Sequence, residues 1–255
     1  MIRAILNATA IAFMFLTRIP MPRLNTISPE DQGRALLCFP LVGLCIGALL
    51  SLCALYLPRV FSIEITAALI LGLWIFITGA LHLDGLADSA DAWLSGTSGE
   101  RALEIMKDPR CGSAAVATLV FALLIKYVAL TALIEHQAWW ALLIAPIIGR
   151  CCAPLILLST PYVNPQGIGL TYIEQAPTYS RTAFWIIVTA SGLGLYLLSG
   201  AKLSVVVGIF FISLIIIAFL RRMMMQRLGG TNGDTAGATV EISEILLLVG
   251  ASALL

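Results

Sequence analysis

Long apolar stretches dominate the chain, and polar residues gather in a few segments between them. Six stretches, residues 36–57, 65–83, 113–134, 138–159, 183–199 and 203–220, are long enough for crossing helices. At about 1.5 Å of rise per residue each spans most or all of a hydrocarbon core about 30 Å thick. A seventh, 240–255, is shorter and carries Glu241 and Glu244 near its start. Residues 4–16 form a shorter run still, closed by "TRIP", which suits an interfacial or re-entrant helix. A cleaved signal peptide fits that run poorly, because Arg3 is its one basic flank and "TRIPMPR" lacks a small-residue cleavage pattern. The pattern predicts an all-α, polytopic integral membrane bundle of about six or seven transmembrane helices, with a short N-terminal helix and one membrane domain over 1–255.

Composition agrees. The chain has 255 residues, 60% hydrophobic and 11% charged, with a mean hydropathy of +0.98, outside the range of ordinary soluble domains. A net charge of +1 offers no basis for binding nucleic acid. The placement of charge is more telling. Arg3, Arg18, Arg23, Arg34, Arg101, Lys107, Arg110, Arg181, Arg221, Arg222 and Arg227 fall on one side of the predicted crossings, and only Arg59 and Lys202 on the other. The positive-inside rule makes the first side cytoplasmic. Five cysteines, Cys38, Cys45, Cys53, Cys151 and Cys152, lie in apolar runs and Cys111 lies in a loop, with no CxxC spacing, so they read as small buried hydrophobes.

The longer polar segments, 84–112, 160–182 and 221–239, share the arginine-rich side, whereas the opposite connections near 58–64, 135–137 and 200–202 are short. Long loops in a compact protein commonly carry function, which places chemistry on that side. Within the first, "TSGE" (97–100) predicts a capping box and a short helix through Met106, ended by Pro109.

The stretch "ALHLDGLADSADAW" holds the strongest candidates. Asp84, Asp88 and Asp91 stand at i, i+4 and i+7, within about 60° of one another on a helix. Three carboxylates on one face at the end of an apolar run must meet water or a cation. Hard carboxylate oxygens suit Mg²⁺, which takes one or two of them plus substrate phosphates. A solvated interfacial loop is the plain alternative. His82 reads as a hydrogen-bonded interfacial histidine or as a base.

"GGTNGDTAGATVEISE" brings a second acidic group. Asp234 and Glu241 repeat the interval from Asp84 to Asp91, and Glu244 lies one turn on. If this segment is helical from Gly233, a second carboxylate face enters the membrane from the same side. Basic partners are Lys107 and Arg110 in "EIMKDPRCG", beside Glu104 and Asp108, and Lys126 and Arg150 within predicted crossings. An intramembrane cation is a functional hypothesis by default, with an internal ion pair as the alternative. Carboxylates for a metal and cations for phosphate oxygens make a phosphoryl-transfer toolkit.

Together "FLTRIPMP", "FPLVGLCIG", "LHLDGLADSADAW", "EIMKDPRCGS" and "GGTNGDTAGATVEISE" resemble the cobalamin synthase family, the adenosylcobinamide-GDP ribazoletransferases, from Phe15 to the C-terminus. The resemblance implies an Mg²⁺-dependent inner-membrane enzyme that joins adenosylcobinamide-GDP to α-ribazole or its 5′-phosphate and releases GMP. It implies metal ligands among Asp84, Asp88, Asp91, Asp234 and Glu241, with Glu244 from the same motif; Glu104 and Asp108, at i and i+4, are further acidic candidates by their spacing. Phosphate-binding roles then fall to Lys107, Arg110, Lys126 and Arg150, and proton transfer to Asp91 or His82. Three positions depart from the family pattern, Ala92 and Ala115 where glycine is usual and Asn232 where threonine is. The sequence leaves oligomeric state open, a homo-oligomer included. A CDP-alcohol phosphotransferase is disfavoured because no arginine lies between Asp84 and Asp91. A secondary transporter would show discontinuous crossings in paired positions.

Overall fold

The computed structural model describes residues 2–24 and 26–255. Twelve α-helices account for most of it. They are α1 (Ile2–Leu16), α2 (Pro29–Ala35), α3 (Phe39–Tyr56), α4 (Ile63–Thr78), α5 (Leu81–Leu94), α6 (Glu100–Met106), α7 (Ser113–Glu135), α8 (Trp139–Ser159), α9 (Gly169–Glu174), α10 (Ser180–Ser199), α11 (Leu203–Leu228) and α12 (Gly233–Ser252). A 3-10 turn at Leu36–Cys38 joins α2 to α3. Among the described residues six segments are long and apolar enough to cross a membrane, Pro29–Arg59, α7, α8, α10, α11 and α12, and the bent pair α4–α5 makes a seventh if it is one span. This is a multi-pass membrane bundle, as the hydropathy pattern predicts.

A boundary differs from expectation. The predicted crossing 65–83 is not one helix: α4 stops at Thr78, and α5 leaves it at 88°. Gly79 and Ala80 carry the turn with φ of 61° and 58°. Glycine tolerates that left-handed backbone and alanine does so only at a cost. The last helix starts at Gly233, before the apolar run at 240, so the segment bearing Asp234 and Glu241 is helical as the second carboxylate face requires. The Asn232 side chain accepts from Thr235 N, and the Thr235 hydroxyl accepts from Asn232 N, a reciprocal cap on two orphan amides.

The bundle is packed around α8. Gly43 and Gly47 form a small-xxx-small pair on α3, and a Cβ on Gly47 would clash with the Leu143 carbonyl oxygen of α8. With no water to expel inside a bilayer, such close backbone approach supplies the van der Waals contact that holds helices together. Across the bundle, Gly149 of α8 lies against Val240 and Glu244 of α12. On the arginine-rich side a two-residue bridge pins the 160–168 loop to the turn before α12. Val163 N donates to Thr231 O at 2.9 Å, and Thr231 N donates to Pro161 O at 2.8 Å.

Candidate functional site

The turn at Gly79 and Ala80 aims α5 at α12. Arg18 braces it: its backbone N–H donates to Ile77 O at 2.7 Å, and its side chain lies where a Cβ on Gly79 would be. Glycine then sets the distance between the two helices. A Cβ on Gly85 would come within 2.6 Å of the Asp234 carbonyl oxygen, and one on Gly237 would be 3.4 Å from His82 Cα. Asp84 and Asp234, one from each acidic motif, therefore line the same cavity of about 280 Å³. Asp84 is exposed and Asp234 half-buried, whereas His82 and Arg150, which also line it, are buried. The cavity passes from an acidic opening to a basic floor.

The expected stripe forms, since Asp84, Asp88 and Asp91 all lie on α5. Asp88 is close enough to Asp84, Asp234 and Asp91 to feel the charge of each. Asp91 is engaged differently from expectation. Its Oδ2 accepts from Gly112 N at 2.7 Å and its Oδ1 from Ala115 N at 2.8 Å, so it caps the start of α7 across the bundle. Those amides have no carbonyl partner within α7, and a carboxylate also suits the positive end of the helix dipole. Among the described residues no three His, Cys, Asp or Glu side chains are arranged to hold one metal ion together. Asp84 and Asp234 still fit Mg²⁺, which binds through one or two carboxylates and completes its shell with phosphates and water.

Glu241 and Glu244 do not join the aspartates. They sit deeper on α12 and close a buried network with the two intramembrane cations. Lys126 Nζ donates to Glu241 Oε2 at 2.5 Å and to Glu244 Oε2 at 2.8 Å, and Arg150 Nη1 donates to Glu244 Oε1. Lys126 also stands 4.5 Å from the centre of the Trp74 ring. Two acids balance two bases, which is the condition for keeping charge inside a bundle. Lys126, expected at a phosphate, is thereby held wholly by protein. Arg150 is held only in part: its Nε and Nη2 are buried with no hydrogen-bond partner among the described residues, and the side chain lines the cavity. An unpaired buried donor is costly.

The remaining loop residues are at the surface. Helix α6 covers Glu100–Met106 as predicted, but the "TSGE" box does not form: Gly99 precedes the helix without a side-chain cap, and its N–H donates to Arg227 O. Thr97 Oγ1 pairs instead with Ser95 Oγ at 2.8 Å. Glu104 pairs with Arg101 at 2.8 Å and Lys107 is exposed. Arg110 grips Asp108 at 2.6 Å, and that hydrogen bonding holds the Asp108 carboxyl down at about 2. Arg110 and Asp108 line a shallow open cleft with Asp91 and Gly112.

Several cavity residues escape the charge-based reading. Phe15, Phe39 and Tyr172 form an aromatic wall, with ring centres 6.0 Å apart for Phe15–Phe39 and 5.5 Å for Phe15–Tyr172. Tyr162 enters from the bridged loop, and burial pushes its phenol pKa up. Asn232, one of the departures from the family pattern, donates to Asp234 Oδ2 at 2.9 Å and so orients that carboxylate. Aromatic residues in an apolar sequence carry no signal of their own; for Phe15 and Phe39 it lay in the motifs "FLTRIP" and "FPLVG".

Comparison with known proteins places these residues in a family. The profile described as cobalamin-5-phosphate synthase matches residues 8–252. A Pseudomonas putida protein named adenosylcobinamide-GDP ribazoletransferase is 46% identical over 246 residues, 94% of this chain and 96% of its own. A protein of the same name from Pseudomonas paraeruginosa is 44% identical over 248 residues, covering 97% and 98%. One from Stutzerimonas stutzeri is 46% identical over 243 residues, covering 94% and 95%. No solved structure matches the chain.

Proposed function

The chain belongs to the cobalamin-5-phosphate synthase family, and on that premise we propose that it joins adenosylcobinamide-GDP to α-ribazole or its 5′-phosphate at the cavity between α5 and α12. The observation that carries this reading is convergence: Asp84 and Asp234 at the opening and the buried Arg150 line one cavity, and Arg150 Nε and Nη2 have no hydrogen-bond partner among the described residues. A diphosphate needs both, a cation held by carboxylates on one side and fixed donors on the other.

On this reading Asp84 and Asp234 hold Mg²⁺, with Asp88 beside them. The ion, when bound, would neutralise charge on the diphosphate and on the departing phosphate. Arg150 donates to an oxygen of the phosphoryl group in transfer, and Glu244 keeps its guanidinium plane fixed. The aromatic wall of Phe15, Phe39 and Tyr172 takes the flat base of the ribazole. A ribazole hydroxyl then attacks the cobinamide-side phosphorus. The new O–P bond forms as the bond to the GMP oxygen breaks, and GMP leaves with that oxygen. His82 accepts the hydroxyl proton. It is favoured over Asp91 because both Asp91 oxygens already accept from the α7 amides. Arg110 lies on an exposed loop next to Asp91, placed to trade Asp108 for a substrate phosphate. The side bearing these groups is read as the cytoplasmic face of a bacterial inner membrane.

The test is direct. Purified protein mixed with adenosylcobinamide-GDP, α-ribazole and Mg²⁺ is expected to release GMP and form the cobalamin product, and a chelator is expected to stop both. Absence of GMP under conditions in which the protein is folded would remove the assignment.

A further inference from the structure

A second cavity, of about 370 Å³, lies away from the aspartates between α8, α10, α11 and α12. Its walls are apolar over nearly their whole extent, with Ile148, Val188, Leu195, Val206 and Phe210 among them. Its charged groups are at one end, whereas the hydroxyls of Ser213 and Ser243 lie partway along α11 and α12. Arg181, in the first turn of α10, and Arg221, two turns before the end of α11, stand at the arginine-rich end together with Ser159. Arg221 is steered there by donating from Nε to Thr160 Oγ1 at 3.1 Å and from Nη2 to Ser159 O at 2.8 Å. Neither arginine pairs with a carboxylate among the described residues. Trp185, one turn inward from Arg181, also lines the groove, and tryptophan is enriched at membrane interfaces.

We propose that this groove is a binding site for an anionic phospholipid, with the headgroup phosphate between Arg181 and Arg221 and an acyl chain along α10 and α11. Length supports it. From Arg181 to Leu195 the groove follows α10 for about 21 Å at 1.5 Å per residue, more than half of a hydrocarbon core about 30 Å thick. It therefore runs the depth of the leaflet on the arginine side. Charge selects the class of lipid: two guanidinium groups without a protein acid attract a headgroup that carries net negative charge and gain less from a zwitterion, whose own cation competes. Helices α10 and α11 are the least enclosed of the candidate crossings, with 17% and 11% of their apolar windows buried. A bound acyl chain supplies contacts against α8 and α12 that protein atoms do not.

The test compares bound lipid. Full-length protein is reconstituted with equal amounts of phosphatidylglycerol and phosphatidylcholine, extracted in mild detergent, and examined by native mass spectrometry and by thermal unfolding in bilayers of each lipid. Wild type is expected to retain phosphatidylglycerol selectively and to unfold at a higher temperature in it. Arg181→Gln is expected to weaken that retention about fivefold, the equivalent of one juxtamembrane arginine. Gly192→Leu provides a second variant that leaves both arginines in place. Gly192 lines the groove, and a Cβ there meets nothing within 4 Å, so the larger side chain fills the acyl path without a clash in the protein. Loss of selective retention in both folded variants supports the site. Equal retention of the two lipids by wild type, or unchanged phosphatidylglycerol retention in either variant, overturns it.

Discussion

Helices α8 and α12 and helices α10 and α11 are all apolar enough to cross a membrane, yet they are built on opposite plans. In α8 and α12, 72% and 67% of the apolar window is buried, against 17% and 11% in α10 and α11. The inner pair carries the charges: Arg150, Asp234, Glu241 and Glu244. The outer pair keeps its charges, Arg181, Lys202, Arg221, Arg222 and Arg227, near helix ends. Hydrophobicity alone does not separate them; α11 has the highest mean hydropathy of the crossings, at 3.0, and is the least buried. In a bilayer lipid is as good a solvent for leucine as another helix is. What draws helices to the centre is small residues that permit contact and polar groups that need partners.

The largest effect expected from breaking this contrast is on stability. Glu244→Leu leaves the Arg150 guanidinium buried without its acid and weakens the hold on Lys126, and it should cost about 3–5 kcal/mol. Thermal unfolding in detergent reads it. An unchanged midpoint would mean that water reaches the network. Next comes Asp84→Asn, which keeps shape and removes charge. Turnover should fall on the order of 10²–10³-fold while the unfolding temperature holds, and wild-type GMP release would take Asp84 out of the metal role.

Two glycines sharpen the comparison more directly. Gly47→Leu on α3 drives a side chain into the α8 backbone and should destabilise by about 1–3 kcal/mol. Gly208→Leu on α11, where a Cβ meets nothing within 4 Å, should stay within about 0.5 kcal/mol of wild type. Equal losses at the two sites would refute the inner and outer assignment. A last variant separates two roles for one aspartate. Asp91→Ala removes the cap on α7 and should lower stability by about 1 kcal/mol. A fall in turnover of about 10² or more at unchanged stability would instead make Asp91 the base.

Much of the fold was readable because membrane burial writes itself into runs of composition. The crossings, the short first helix and the acidic stripe on α5 follow from length and from the spacing of Asp84, Asp88 and Asp91. The break before α5 was not readable. Ile77, Thr78, Gly79, Ala80 and Leu81 continue an apolar run, and the left-handed turn is decided by Arg18 and by α12 packing against Gly85. The "TSGE" box fails because the Ser95 hydroxyl takes the Thr97 amide and hydroxyl, while Arg227, distant in the chain, donates to the Thr97 carbonyl.

By itself the sequence determined that the chain is a multi-pass helical bundle and on which helical face the aspartates stand, because both depend on spacing within about 25 residues and on the cost of placing charge in hydrocarbon. Only the tertiary structure decided which charges serve each other and which face the cavity. Lys126 meets Glu241 and Glu244, and Arg150 meets Glu244, across separations of 94 to 118 residues. Nothing local distinguishes those glutamates from Asp234, seven residues before Glu241 on the same helix. Depth in the bundle does, because a buried carboxylate must find a cation among its neighbours, whereas one at the opening remains available to a ligand.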